Sequence, residues 1–439
     1  MEKFFKVLEH KSSIKTELIA GVTTFLAMAY ILFVNSGIVA ETGLPFTGIF
    51  VATALSAAVT TLFMGLYANL PIALAPGMGL NAVFTYTLVL TMGMKPESAL
   101  AVVFLSGIVG VLVSVTPLRK MVVDAIPKAL KLAIGAGIGF FIAFIGLKNA
   151  GIIVANPATY VALGDVKAPL VVLALAGLLL TIILLAKKVP AAIFLGIIGT
   201  AVMGVIAGLF GLVGMPTLPT AVVSANLDFS LVGLFVKGFQ PLFADYGITT
   251  IFVVVFSLFF VDFFDTAGTF VAVSNSAGLL DKDGNIENVS KAFIVDSSAT
   301  VVGAVLGTPN VTSYIESGAG VEVGGRTGLT AVVVGVLFLL SLFFSPLLSV
   351  VTSAVTAPAL IVVGVLMAQQ LGGIKWDDLS EALLAFLVVI SMALTYSIST
   401  GIAFGFILYP VLLASTGKFK QIKPILWFLL VVSVLFFIR

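Results

Sequence analysis

Three acids stand where acids are costly. The run Phe260-Val-Asp262-Phe-Phe-Asp265-Thr266-Ala-Gly268-Thr269 sets two carboxylates three residues apart inside a strongly apolar stretch. The run Gly307-Thr-Pro309-Asn310-Val-Thr-Ser-Tyr-Ile-Glu316-Ser317-Gly318 sets a third inside another. Spacings of three and four place Asp262, Asp265, Thr266 and Thr269 on one helical face. An ionisable group in an apolar span is expensive unless it faces a cavity or a partner, and by default it marks a functional site. Such a set can accept hydrogen bonds from the N–H groups of a polar ligand. It can also carry a proton, because a carboxylate taken out of water is harder to ionise. Asn81, in Ala75-Pro76-Gly77-Met-Gly79-Leu-Asn81, can donate and accept at once, as the edge of a heterocycle requires. The structural alternative is that hydroxyls or backbone amides cap the aspartates, or that one of them lies near an interface, and that Glu316 is a helix cap. Asp296 reads as a cap or brace, Asn35, at the end of the first span, equally as a second such amide or as a cap, and Glu322 and Arg326, four apart, as an ion pair near the cytoplasmic face.

The elements that carry these residues follow from composition. The chain has 439 residues, 60% hydrophobic and 10% charged, with a mean hydropathy of +1.24. A soluble surface needs roughly a quarter of residues charged, so this is a polytopic helical membrane protein whose solvent is the lipid bilayer. A net charge of +2 gives no footprint for nucleic acid. Zero cysteines exclude disulfides, thiolate metal sites and cysteine nucleophiles, and the single histidine, His10, lies in the polar N-terminal segment. No cofactor and no metal are expected. That segment does not read as a cleavable signal, since its apolar stretch comes late, is too long and lacks a small-residue cleavage site.

At about 20 apolar residues per span, helices are expected near 17–36, 47–68, 72–91, 98–115, 128–148, 168–187 and 190–213. A second series is expected near 247–273, 289–306, 310–323, 327–347, 351–371, 380–396 and 398–415. The stretch 424–438 is either a further span or a helix packed on the bundle. With the N-terminus in the cytoplasm, seventeen basic residues fall inside, among them Lys3, Lys6, Arg119, Lys120, Lys131, Lys282, Arg326 and Lys418, and four outside, Lys95, Lys148, Lys167 and Lys237, with Arg439 unassigned. That bias is what the positive-inside rule requires. Fourteen spans then divide as seven and seven around an external linker, 214–246, and an odd-numbered half re-enters from the other side as an inverted repeat. The third span of each half is interrupted: Pro71 and Pro76 with Gly77 and Gly79 in one, Pro309 in the other. Proline disfavours helix before it and removes a donor, while Val311, Thr312, Tyr314 and Ile315 favour extension. Spans 3 and 10 are therefore expected to hold a short extended stretch, then a half-helix beginning near Gly77 or Glu316. Paired interrupted spans point to a transporter's binding site.

FFDTAGT around Asp265, GTPNVTSYIESGAGVEVGGRTGLTAV around Glu316, APGMGLNA around Asn81 and IPKALKLAIGAGIG at the fifth span resemble the AzgA-like branch of the nucleobase–cation symporter-2 family, essentially end to end. One departure is Pro309-Asn310, where many members carry a serine-containing sequence, a change that would tune the site and not abolish it. The resemblance implies two inverted repeats, 1–213 (core 17–115, gate 127–213) and 247–439 (core 247–347, gate 351–439). It implies uptake of hypoxanthine, guanine or adenine with protons across the cell membrane by an elevator-like motion of core against gate, in a homodimer built largely through gate helices. It assigns purine binding to Asp262 and Glu316, with Asn81, Thr266, Ser317 and Gly318 contributing, and proton coupling to Asp265 together with Asp262 and Glu316.

Three other readings compete. An anion transporter of the same fold would expose its half-helix N-termini without three acids crowding them. An intramembrane aspartyl protease needs two aspartates on facing helices sharing a proton, whereas Asp262 and Asp265 lie on one turn and no Gly-x-Gly-Asp element is present. A passive channel has no use for paired broken helices.

Overall fold

The structure, a computed structural model, describes residues 2–116, 127–219, 221–279, 288–417 and 419–438. Arg119, Lys120, Lys282, Lys418 and Arg439, used above for orientation, lie outside the described residues. In chain order the helices are α1 (Glu2–Phe5), α2 (Ile14–Met28), α3 (Ile31–Ala40), α4 (Phe46–Phe63), α5 (Met78–Ala82), α6 (Pro96–Ser114), α7 (Lys128–Asn149), α8 (Pro169–Ala186) and α9 (Ala192–Leu209). There follow α10 (Leu234–Asp245), α11 (Ile248–Ala277), α12 (Val289–Leu306), α13 (Ser317–Glu322), α14 (Gly328–Ser341), α15 (Ser353–Ala368), α16 (Leu379–Leu394), α17 (Ile398–Ser415) and α18 (Pro424–Phe437). Among the described residues eleven helical segments are long and apolar enough to cross a membrane, and Met78–Thr91, Leu379–Leu394 and Pro424–Leu435 are shorter apolar helices. The chain is a mostly helical multi-pass membrane protein.

Three features depart from the expectation. The first span is not continuous: α2 and α3 are separated at Ala29–Tyr30, where Leu32 N–H bonds to the Ala29 carbonyl and Phe33 N–H to the Tyr30 carbonyl, a tightened turn. The chain is not wholly helical. It contains an unexpected hairpin of β2 (Ile153–Asn156) and β3 (Tyr160–Leu163), whereas β1 (Leu74–Pro76) and β4 (Val311–Ser313) are the extended stretches expected in spans 3 and 10, paired with each other. The linker 214–246 is not all linker, because α10 lays Phe235 and Phe239, one turn apart, against Phe104 of α6 at ring separations of 4.6 and 6.0 Å. Lys237, Gly238, Gln240 and Pro241 disguise this helix in the sequence. Gly238 is needed there, since a Cβ would come within 1.9 Å of the Glu97 carbonyl oxygen. Nearer the linker's start, hydrogen bonds from Ser230 and Thr47 hold the Asp228 carboxyl below the usual carboxylate range. The stretch 424–438, left open by the sequence, carries the helix α18 (Pro424–Phe437), packed on α17 with Leu426 and Leu429 buried.

The broadest helix–helix contact joins α7 to α15. It rests on small residues, as membrane helices without a hydrophobic driving force between them require. A Cβ on Gly139 would meet the Gly364 oxygen at 2.6 Å, and one on Gly364 would meet the Gly139 oxygen at 2.5 Å. Each would have to displace backbone. Gly139→Val is therefore expected to destabilise the fold by at least about 1–3 kcal/mol, the usual cost of overpacking. Gly135→Ala, which meets only the flexible end of Gln370, should cost less. Thermal unfolding of the two purified variants checks this: equal melting temperatures would contradict the close-approach account.

Candidate functional site

The site is built on the crossing of β1 and β4. They pair antiparallel with Leu74 opposite Ser313, Ala75 opposite Thr312 and Pro76 opposite Val311, and both are wholly buried. Extended backbone at membrane depth must satisfy its polar groups within protein, and here each strand supplies the other. Gly77 N–H donates to the Asn310 carbonyl (3.1 Å) and Tyr314 N–H to the Ala73 carbonyl (2.9 Å). The Tyr314 hydroxyl donates to the Pro76 carbonyl. Thr61 both donates to the Leu74 carbonyl (2.9 Å) and accepts its N–H (2.8 Å). A Cβ on Gly77 would meet Thr312 Cγ2 at 2.8 Å, so the crossing needs glycine there.

Each strand leads into a short helix at the expected place, α5 after Gly77 and α13 after Glu316. Their starts differ. At α5 the Asn81 N–H closes the first turn on the Gly77 carbonyl (2.9 Å), and the N–H groups of Met78, Gly79 and Leu80 precede it as the orphan donors of a helix start. At α13 the N–H groups of Ser317, Gly318 and Ala319 already bond to the carbonyls of Tyr314, Ile315 and Glu316 at 3.1, 2.9 and 3.0 Å. This tightened turn leaves α13 with fewer free donors than a plain helix start.

The carboxylates converge on this crossing from α11, α12 and the start of α13. Asp262 is buried; Asn310 Nδ2 donates to its Oδ1 (2.8 Å) and Thr300 Oγ1 to its Oδ2 (2.7 Å). Asp296, also buried, accepts from Thr266 Oγ1 (2.5 Å), Ser313 N–H (2.8 Å) and Thr312 Oγ1 (3.4 Å). It braces α11 and β4 against α12, as a cap-or-brace role requires. Asp265 is exposed, accepts no hydrogen bond from a described residue, and lies within electrostatic reach of Asp262 and Glu316. Glu316 is half-buried and takes a hydrogen bond from the Tyr30 hydroxyl to Oε1 (2.5 Å). Gly268 and Gly318 face open space. Among the described residues no lysine or arginine nitrogen comes within 4 Å of these four acids.

The residues singled out in the sequence thus fall into three groups. Asp265 lies within electrostatic reach of both Asp262 and Glu316, and Gly318, two residues beyond Glu316, has open space beside it. Thr266 and Ser317 have engaged hydroxyls: Thr266 bonds to Asp296 and Thr312, and Ser317 Oγ accepts the Ala73 N–H (3.0 Å). Asn81 is fully buried on α5, which touches α11, and neither polar atom of its side chain has a partner among the described residues. The single helical face read for Asp262, Asp265, Thr266 and Thr269 divides in the structure, with Asp265 on the open side and the other three buried.

Two readings of polar residues are corrected. Asn35 is no cap: it sits inside α3, fully buried, and its Nδ2 donates to Thr53 (2.7 Å) and Thr308 (2.9 Å). Glu322 and Arg326 make no ion pair. Arg326 Nη1 donates instead to the carbonyls of Val321 (2.6 Å) and Gly325 (2.8 Å), at the end of α13 where the helix dipole favours a cation. Glu17, unnoticed in the sequence, is buried and accepts the N–H groups of Arg326 and Thr327 and the Thr330 hydroxyl at the start of α14. Tyr30, Thr300 and Thr312 were also missed. Their one signal was a hydroxyl within an apolar run, which many buried structural residues share.

A model of the xanthine/uracil permeases, described as "Permease family", matches residues 15–404. The chain belongs to the xanthine/uracil permease family. It is a permease and not an enzyme. The guanine/hypoxanthine permease PbuG of Bacillus subtilis is 48% identical over 447 residues, covering 100% of this chain and 99% of that one. The adenine permease AdeP of Escherichia coli is 40% identical over 439 residues, covering 100% of this chain and 95% of that one. Among solved structures, the permease resembles the transmembrane domain of a cyanobacterial bicarbonate transporter, BicA, with a TM-score of 0.65 at 17% identity, over 89% of this chain and 97% of that one. It also resembles murine solute carrier 26 family member A9, an anion transporter, with a TM-score of 0.61 at 12% identity, over 93% and 69%. At such identities these likenesses concern the fold alone.

Proposed function

We propose that this permease imports purine nucleobases, hypoxanthine, guanine or adenine, together with protons. The observation that carries the reading is a set of acids with no lysine or arginine within 4 Å among the described residues, on elements that include the helix α11 touched by α5, whose buried Asn81 amide has no partner among those residues. A purine base is planar and neutral, with N–H donors and ring-nitrogen acceptors along its edge. Carboxylates on α11 and at the start of α13 accept from its N–H groups, and Asn81, with the orphan N–H groups of α5, meets its acceptors. The full-length relatives named for guanine, hypoxanthine and adenine support the same substrate class.

Protons fit the acids. A carboxylate that takes a proton with the substrate lowers the net charge moved through the membrane, so the loaded site crosses more easily. In this reading fourteen spans form two inverted seven-span repeats, with cores 17–115 and 247–347 and gates 127–213 and 351–439. Core slides against gate as an elevator, in a homodimer held largely by gate helices in the cell membrane with the N-terminus in the cytoplasm. The competing reading, an anion transporter, draws on the fold neighbours. Asp262, Asp265, Asp296 and Glu316 oppose it, since an anion entering this space would meet uncompensated negative charge.

The test is tracer uptake of hypoxanthine with adenine, guanine, xanthine and uracil as competitors, at two pH values, with and without a protonophore. Saturable uptake that rises with the inward proton gradient, collapses with the protonophore and is competed by purines is expected. If cells carrying the protein in their membrane take up no nucleobase, the reading fails and bicarbonate and other anions become the substrates to try.

A further inference from the structure

We propose that Tyr30 is a positioning residue for substrate binding, holding one oxygen of Glu316 so that the other is presented to the purine. The inference rests on the purine reading above and adds a residue to it. Tyr30 is fully buried at the break between α2 and α3, and its hydroxyl lies 2.5 Å from Glu316 Oε1, the short end of the range for a hydroxyl donating to a carboxylate. Among the described residues it is the one side chain that donates to Glu316.

Glu316 needs such a restraint. It sits on a turn between an exposed Ile315 and the small residues Ser317 and Gly318, and a Cβ on Gly318 would meet nothing within 4 Å. Packing therefore leaves its carboxylate room to swing. The restraint itself is firmly seated, because the α2–α3 break and α3 hold the same segment at two points. Five residues beyond Tyr30, Asn35 donates to Thr308, at the other end of the run that holds β4 and Glu316. Tyr30 thus fixes the carboxylate relative to the strand crossing. A polar contact placed in advance binds better than one ordered on binding.

Tyr30→Phe keeps the ring and removes the hydroxyl. At equal protein levels in the membrane, KM for hypoxanthine is expected to rise about 10- to 100-fold, the range for one hydrogen bond to a charged group, with maximal rate changed less than about threefold. An unchanged KM overturns the proposal, and so does a fall in maximal rate at unchanged KM, which marks the hydroxyl as structural only. If the wild-type protein carries no purine, the function proposed above has failed, and infrared difference spectra between two pH values decide about Tyr30 without substrate. The carboxyl band lost in Glu316→Gln should shift in Tyr30→Phe and stay in place in Tyr160→Phe, which alters an 87% exposed tyrosine. A band unmoved in Tyr30→Phe overturns the link itself.

Discussion

Glu316→Ala should reduce purine accumulation to background, a loss of at least about 100-fold in the ratio of maximal rate to KM, while the protein reaches the membrane at wild-type levels. The size follows from what is lost. A site built to accept a substrate N–H leaves that donor buried and unpaired once the acceptor is gone, and such mismatches cost far more than a missing methylene. The fold should tolerate the change, because Glu316 is half-buried and among the described residues one side chain, Tyr30, donates to it. Asp262→Ala should lose transport as severely with a cost to stability added, since it strips the buried Asn310 amide of its acceptor, while Thr300 keeps the Val311 carbonyl (3.2 Å); the orphaned amide costs about 1–3 kcal/mol. The pair is informative together. Uptake at wild-type rates in Glu316→Ala would remove that residue from the mechanism. An Asp262→Ala protein that melts at the wild-type temperature would show that its hydrogen bonds in this structure carry little of the fold.

Why the two acids differ in this way was beyond the sequence, and the reason is physical. Proline, glycine and β-branched residues are local signals, so Pro76-Gly77 and Pro309 announced both extended runs and both half-helix starts. That those runs pair, Ala75 against Thr312, is a contact across more than two hundred residues that no local pattern encodes. Charge patterning indicated the acids but not their partners. Helical spacing alone put Asp262 and Asp265 on one face, yet a 60° difference in direction around the helix is enough to bury one and expose the other. Apolar length located α12 and α17 to the residue, and missed α10, which is 12 residues long and carries a proline. The Glu322–Arg326 spacing looked like an ion pair because the sequence could not show that α13 ends at Glu322, where free carbonyls compete for the guanidinium.

That difference between neighbouring aspartates supports the last expectation, that Asp265→Asn separates binding from coupling. Asp265 is the one member of the cluster that is exposed and accepts no hydrogen bond from a described residue. Replacing it with the isosteric amide removes a charge and a proton site and disturbs no contact that holds the fold. Its influence on the site is electrostatic, through Asp262 and Glu316, and such influence acts on proton occupancy more than on shape. Purine binding to the purified variant should stay within about threefold of wild type. Exchange of external for internal purine should continue, while accumulation driven by a proton gradient should fall at least about tenfold and lose its sensitivity to a protonophore. Equal loss of binding and accumulation would make Asp265 part of the binding surface. Unaltered accumulation would leave proton coupling to Asp262 and Glu316, whose side chains must then both hold the substrate and release the proton.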